Sequence, residues 1–196
     1  QRQMCIRDRH IVDKIMYSII ESKLISAEDA DAYRFGTEVT LLKSIHFVSY
    51  LIMAVYMKKT FEFFVIFAVF ILFRRNTGGF HAQTRIGCFF FSCTMVFLSL
   101  FATELNISWW VAATISIIDI IVLLKLSPIQ NSNRNLDSED IVCFRHRLRI
   151  LSVIFSVVYI ATLGLRAKYF IALYTIGLTM DTLLTIFGKL QSIKQS

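Results

Sequence analysis

Six apolar stretches, separated by short polar segments, constrain this chain more than any other feature of its sequence. They cover residues 40–57, 60–73, 86–103, 105–124, 150–165 and 169–188. Each approaches the length that a helix needs to cross a hydrocarbon core of about 30 Å. The second is the shortest, so it either spans the bilayer or forms a re-entrant segment. We therefore predict an all-α, polytopic membrane protein with about six transmembrane helices.

The composition agrees with a membrane environment. Of the 196 residues, 56% are hydrophobic and only 18% are charged. A soluble domain of this length cannot bury so many large apolar side chains in one core, whereas lipid accepts them on outward faces. This composition also excludes a disordered chain.

The basic residues indicate an orientation for the predicted bundle. The formal net charge is +7, and 16 of the 21 lysines and arginines lie in residues 1–40, 74–87 and 125–149 and in the C-terminal tail. Because lysine and arginine are retained on the cytoplasmic side, we predict that both termini and these two loops are cytoplasmic. The basic residues form no stripe, so we expect the lipid bilayer, and no nucleic acid, as a partner.

The N-terminal region is too polar to span a membrane. Across residues 10–24 apolar side chains recur with the spacing of an amphipathic helix. Ser26 followed by Asp29 resembles a helix start, which predicts a second short helix that runs to Gly36. The opening residues 1–9 resemble translated sequencing-adapter read-through, and we expect them to be a non-native or disordered extension.

The least membrane-like string in the middle of the chain, residues 74–88, holds the reactive groups. It contains the pair Gly78-Gly79, then His81, and seven residues later Cys88 at the start of an apolar stretch. A nearby imidazole, three arginines and a helix N-terminus would all favour the nucleophilic thiolate. The alternatives are that the cysteine packs as a small buried apolar residue and that the histidine is a polar anchor near the membrane surface. One His and one Cys are too few for a zinc site, so we expect no metal and no cofactor.

The spacing of the two residues constrains the backbone between them. On one continuous helix, residues seven apart are about 10.5 Å apart along the axis, too far for a hydrogen bond between imidazole and thiol. If the pair acts as a dyad, a helix must begin after His81, and the Gly78-Gly79 turn must fold the histidine back over Cys88. Glycine permits such a turn because it accepts positive φ.

The same residues carry a family resemblance. The pattern Arg-x-x-x-Gly-Gly-x-His-Ala, with Cys seven residues after His, resembles the signature of the accessory gene regulator protein B (AgrB) family, membrane cysteine endopeptidases of bacterial quorum sensing. In this chain the pattern comprises Arg74, Gly78, Gly79, His81, Ala82 and Cys88. The resemblance covers most of the chain, and we interpret residues 10–196 as a single AgrB-like domain. Family members usually have Ala-Pro, and a second proline seven residues later, in the basic loop after the fourth apolar stretch; this chain has Ser127-Pro128 and then Asn135.

The resemblance implies an activity and a role for each motif residue. Cys88 would be the nucleophile, His81 the general base and later the acid, and Arg74, Gly78 and Gly79 would support the site geometry. The implied substrate is an AgrD-like propeptide with an internal Cys and an acidic tail. Cleavage before the tail would leave an acyl-enzyme thioester, which cyclises to a thiolactone or lactone. The resemblance also implies a homodimer in the bacterial cell membrane.

The sequence contains further candidates outside the motif. Asp119 and Asp181 lie within apolar stretches, where an ionisable group by default suggests function. Either aspartate could orient His81, and Asp119 is our preferred candidate; the alternative for either is a polar partner across the bundle. Four arginines would attract an acidic substrate tail, or else only fix topology and contact anionic lipid. They are Arg134, Arg145, Arg147 and Arg149.

A different class of function also fits the composition. The chain could be a non-enzymatic membrane transporter or scaffold that moves or holds a peptide through its inner arginines and its two intramembrane aspartates. In that case the thiol of Cys88 would be irrelevant to function, which distinguishes this hypothesis from the peptidase.

Overall fold

The structure, a computed structural model, describes residues 30–80, 84–129 and 137–195. Throughout these ranges the regular structure is entirely helical, which confirms the all-α prediction. The described helices are α1 (Ala30–Tyr56), α2 (Thr60–Thr77), α3 (Arg85–Ala102), α4 (Trp109–Leu126), α5 (Ser138–Gly164) and α6 (Lys168–Gln195). Residues 1–9 and the helix predicted across 10–24 lie outside the described residues.

Four of these helices are long and apolar enough to cross a membrane. Their candidate spans are Gly36–Tyr56, Trp109–Leu126, Ser138–Gly164 and Lys168–Lys194. Helix α2, the short second stretch, is one continuous helix of 18 residues and therefore about 27 Å long. The apolar part of α3 is shorter, Ile86–Ala102. All six apolar stretches thus form helices, as the sequence predicts.

The chain divides into two compact units, and the first ends at Tyr50. Within it, α1 continues without a break through Gly36, so the short helix predicted to end there is not separate. Its hydroxyls are satisfied by the helix itself: Thr37 Oγ1 donates to the carbonyl of Tyr33, and Thr40 Oγ1 donates to that of Gly36, both at 2.8 Å. Because these hydroxyls bond to carbonyls of their own helix, they do not hold the backbone in a non-helical conformation.

In the second unit, Leu51–Ser196, helix α6 is the central element. Sixty-one per cent of its span is buried, against 22% for α4 and 17% for α5, and α2 and α4 pack along it most extensively. Gly177 lets α2 approach closely, because a Cβ there would lie 2.8 Å from the carbonyl oxygen of Ile66. Small residues at such crossings are typical of helix packing in membranes.

The connections between helices lie at alternating ends of this unit. At one end, the amide of Ile129, just after α4, donates to the carbonyl of Thr77, the last residue of α2, at 3.0 Å. At the opposite end of α2, Lys59 forms an ion pair with Glu104, which follows α3, at 2.6 Å. The segments that follow α2 and α4 are therefore adjacent, and this end of the unit carries the motif.

Candidate active site

The Gly-Gly pair forms a turn that only glycine adopts readily. Helix α2 ends at Thr77, and the next two residues have positive φ, 72° at Gly78 and 133° at Gly79. A Cβ on Gly79 would lie 2.1 Å from Nη1 of Arg74 and 2.8 Å from the carbonyl oxygen of Leu184. The second glycine is therefore required both for its backbone conformation and for space.

Arg74 holds the turn from the last part of α2. Its Nη1 donates to the carbonyl of Gly78, and its Nη2 donates to the carbonyl of Phe80 at 3.0 Å. The amide of Phe80 in turn donates to the carbonyl of Leu184 on α6, at 2.9 Å. Both backbone groups of Phe80 are thus bonded, and the chain is fixed immediately before position 81.

Helix α6 is shaped to accept this turn. In a helix, the carbonyl of each residue is covered on its outer side by the side chain of the residue four positions later. For Leu184 that residue is Gly188, which has no side chain. A Cβ on Gly188 would lie 2.4 Å from the carbonyl carbon of Gly79 and 2.6 Å from the amide nitrogen of Phe80. The missing side chain therefore leaves the Leu184 carbonyl open to the amide of Phe80.

A buried carboxylate, that of Asp181 on α6, lies close to both Thr77 and Arg74. Thr77 Oγ1 donates to Asp181 on α6, with distances of 2.9 Å to Oδ2 and 3.2 Å to Oδ1. Arg74 Nη1 lies 3.9 Å from Asp181 Oδ1; the aspartate side chain is 0% exposed and that of the arginine 20%. The end of α2 and the guanidinium that holds the turn are therefore both tied to one residue of α6.

Helix α3 begins after the motif histidine, as the dyad hypothesis requires. Its N-cap is Thr84, whose Oγ1 accepts from the amide of Gly87 at 3.1 Å. Cys88 follows in the first turn, and its amide donates to the carbonyl of Thr84 at 2.9 Å. Its thiol is free and partly buried. The cysteine lies where the helix dipole favours negative charge. His81 lies outside the described residues.

Comparison with known proteins decides the family. The family model described as Accessory gene regulator B matches residues 12–187, which is most of the chain. The chain belongs to the AgrB family. No curated protein and no solved structure matches it. AgrB membership is consistent with a role in the processing of quorum-sensing peptides.

Asp119, the proposed orienting acid, lies in a different environment from Asp181. It is buried on α4, and its Oδ2 accepts from Thr179 Oγ1 on α6 at 2.6 Å. Both intramembrane aspartates of this AgrB chain therefore have polar partners across the bundle. Of the two, Asp181 is connected to the Gly-Gly turn, through Thr77 and Arg74.

The candidate arginines for the substrate tail are partly described. Arg145, Arg147 and Arg149 are exposed in the first half of α5, whereas Arg134 lies outside the described residues. The other described cysteines are Cys93, partly buried further along α3, and Cys143, exposed on α5. The three described arginines are open to solvent or to lipid headgroups.

Sequence reasoning missed two contributors to this site, the hydrogen bond of Thr77 and the contact of Gly188; it allowed a polar partner for Asp181 but did not identify Arg74. One signal was present. Asp181, Leu184 and Gly188 have the i, i+3, i+7 spacing that places residues on one helix face. A carboxylate and a glycine on one face of an apolar helix indicate that another backbone approaches there. The sequence does not show which backbone approaches.

Proposed function

We propose that this AgrB-family protein is an integral membrane cysteine endopeptidase that cleaves an AgrD-like propeptide on the C-terminal side of its signal segment. Cys88 is the nucleophile, and His81 is the general base and later the acid. In this proposal the turn faces the cytoplasm of a bacterial cell, and the protein acts as a homodimer. The observation that carries the proposal is the break between α2 and α3. In the sequence His81 falls between these two helices, and Cys88 lies in the first turn of the second.

The first chemical step is attack on the peptide bond before the acidic tail. Cys88 Sγ forms a bond to the carbonyl carbon, and the thiol proton moves to His81. Collapse of the tetrahedral intermediate breaks the C–N bond, and His81 gives its proton to the leaving amine. The tail departs as a free peptide, and the signal segment remains bound to Cys88 as a thioester.

The second step closes the ring. The thiol of the substrate's own cysteine attacks the thioester carbonyl, the bond to Cys88 breaks, and the proton returns to Cys88 through His81. The product is a thiolactone, or a lactone where the substrate has serine. Cyclisation exceeds hydrolysis only if the internal nucleophile is positioned and water is limited. A site at the mouth of an apolar helix bundle supports both conditions.

The exposed arginines of α5 support a role in binding the acidic tail. Arg145, Arg147 and Arg149 bring three positive charges to one helix segment that precedes the apolar part of α5. In the proposed orientation this segment lies on the same side as the turn. Such a charge cluster raises the local concentration of an anionic peptide, and salt weakens the effect.

The test is propeptide cleavage by matched cysteine variants in membranes. Cys88→Ala and His81→Ala should abolish cleavage while the protein still inserts, and Cys88→Ser should cleave far more slowly because a hydroxyl needs more activation. Cys93→Ala, five residues further along the same helix and on a different face, is the control and should cleave normally. Cleavage by Cys88→Ala, or normal function after alkylation of Cys88, would instead favour the transporter or scaffold.

A further inference from the structure

We propose that Asp181 is a positioning residue for the active site: it holds Arg74 and the end of α2, and through them it fixes the backbone that presents His81. This inference rests on the proposed function. The carboxylate is 0% exposed, so it acts on the reaction only through the groups it holds and does not contact a propeptide.

The first argument concerns the charge of Arg74. Its side chain is 20% exposed, and its guanidinium spans the carbonyls of Gly78 and Phe80. A largely buried cation without an opposite charge is costly, and removing one partner of such a pair is strongly destabilising. Asp181 provides that charge 3.9 Å away. Without it, the guanidinium gains by turning toward water, and it then releases both carbonyls.

The second argument concerns the number of places where α6 contacts the turn. Asp181 accepts from Thr77, the Leu184 carbonyl accepts from Phe80, and Gly188 lies against Gly79. These three residues of α6 follow one face of the helix over two turns. The carboxylate is the only side-chain group among these three contacts, so it is the contact that a substitution can remove with little change in volume.

The third argument distinguishes Asp181 from the other polar groups buried along α6. Thr175 lies 2.9 Å from Ser116 Oγ and 3.0 Å from the hydroxyl of Tyr159, in a network between α4, α5 and α6. That network stabilises the bundle, and Thr175 bonds in it only to residues of α4, α5 and α6 among the part of the chain that the structure describes, not to the turn. Thr175→Val is therefore a matched control: it removes buried hydrogen bonds from the same helix and leaves the turn intact.

The experiment measures kcat and KM for cleavage of a synthetic propeptide with an internal Cys and an acidic tail, in proteoliposomes of equal protein content. Asp181→Asn should lower kcat about ten- to hundredfold and leave KM within about twofold, because misplacement of a catalytic group acts on the chemical step. Thr175→Val should lower thermal stability while kcat per folded molecule stays within about twofold. Thr77→Val, which removes one bond to the same carboxylate, should also lower kcat and carries the test if Asp181→Asn does not insert.

A second measurement needs no turnover. The rate at which iodoacetamide alkylates Cys88 at pH 7 is compared among variants that lack the other cysteines. Asp181→Asn should slow alkylation about fivefold or more, toward the rate of His81→Ala, because a thiol without its base is less reactive. In an Arg74→Gln background the same change should have a smaller effect, since coupled residues are not additive and only the bond to Thr77 is then left to lose.

The outcomes separate this inference from the proposed function. If Cys88→Ala is inactive but Asp181→Asn and Thr77→Val keep kcat and the alkylation rate within about twofold of the unsubstituted protein, Asp181 is a structural residue only and the inference is wrong. If Asp181→Asn slows alkylation of Cys88 as much in the Arg74→Gln background as in the unsubstituted protein, Asp181 does not act through Arg74. If Cys88→Ala cleaves, the proposed function itself fails.

Discussion

The substitution Gly79→Ala tests whether the turn before His81 must keep its present backbone. Gly79 has a φ of 133°, which L residues rarely adopt. A methyl group there would meet Nη1 of Arg74 at 2.1 Å and the carbonyl oxygen of Leu184 at 2.8 Å. The first overlap is with a flexible side chain and the second is with helix backbone, so the arginine must move and the turn must also shift.

The magnitude follows from the bonds that this shift breaks. Backbone strain of this kind costs about 1–3 kcal/mol. Displacing Arg74 loses at least one of its two hydrogen bonds to the turn, and a bond to a charged group contributes about 1.5–3 kcal/mol. Together these disfavour the native turn by about 2.5–6 kcal/mol. Because 1.36 kcal/mol corresponds to a factor of ten, cleavage should fall at least about seventyfold.

The assay is cleavage of the propeptide in membranes at equal protein levels. Gly36→Ala is the matched control: no heavy atom lies within 4 Å of the added methyl group, and the site is in a helix interior. There alanine is favoured over glycine by about 1 kcal/mol, so that variant should be as stable or more stable and fully active. Cleavage by Gly79→Ala within about threefold of the unsubstituted rate would refute the reasoning, because the turn could then relax without consequence.

Three further substitutions test the elements around the turn. Gly188→Ala should abolish cleavage because its methyl group would lie 2.4 Å from the carbonyl carbon of Gly79; an active enzyme would show that α6 does not hold the turn. Thr84→Ala removes the N-cap of α3, worth about 1 kcal/mol, so hydrogen exchange of the Gly87 amide should accelerate about fivefold; unchanged exchange contradicts the cap. Replacing the three exposed arginines of α5 by glutamine should raise KM at low salt with kcat unchanged, and the difference should vanish in about 0.5 M salt; an effect that persists at high salt would exclude electrostatic attraction.

Much of the fold could be predicted from the sequence because membrane helices are specified by length and polarity. The six apolar stretches all form helices, and a new helix begins at Arg85, after His81, as the dyad hypothesis requires. Boundaries were less predictable. The N-terminal polar segment joins α1 because nothing at Gly36 stops a helix, and α4 begins at Trp109, not at residue 105.

The partner of each intramembrane aspartate could not be predicted. Thr77 and Asp181 are 104 residues apart, and their contact depends on the rotation of α6 about its axis. An amphipathic helix reveals its rotation through the contrast between its faces, but α6 is apolar around most of its circumference and is buried along much of its span. The sequence therefore favoured Asp119 as the orienting acid, and only the packing shows that Asp181 is the aspartate connected to the turn.

Under the proposed function, the arrangement around the turn resolves a conflict between catalysis and the bilayer. A nucleophile and a base seven residues apart need irregular backbone between them, yet unsatisfied backbone groups are costly near a membrane. Here the carbonyls of Thr77, Gly78 and Phe80 accept from Ile129 and Arg74, and the Phe80 amide donates to α6. Because the carboxylate that balances Arg74 is on α6 as well, one helix supplies both a backbone acceptor and the counter-charge. The turn is thus held by the centre of the bundle, and under the proposed function this explains how the backbone before His81 keeps the geometry that the reaction needs.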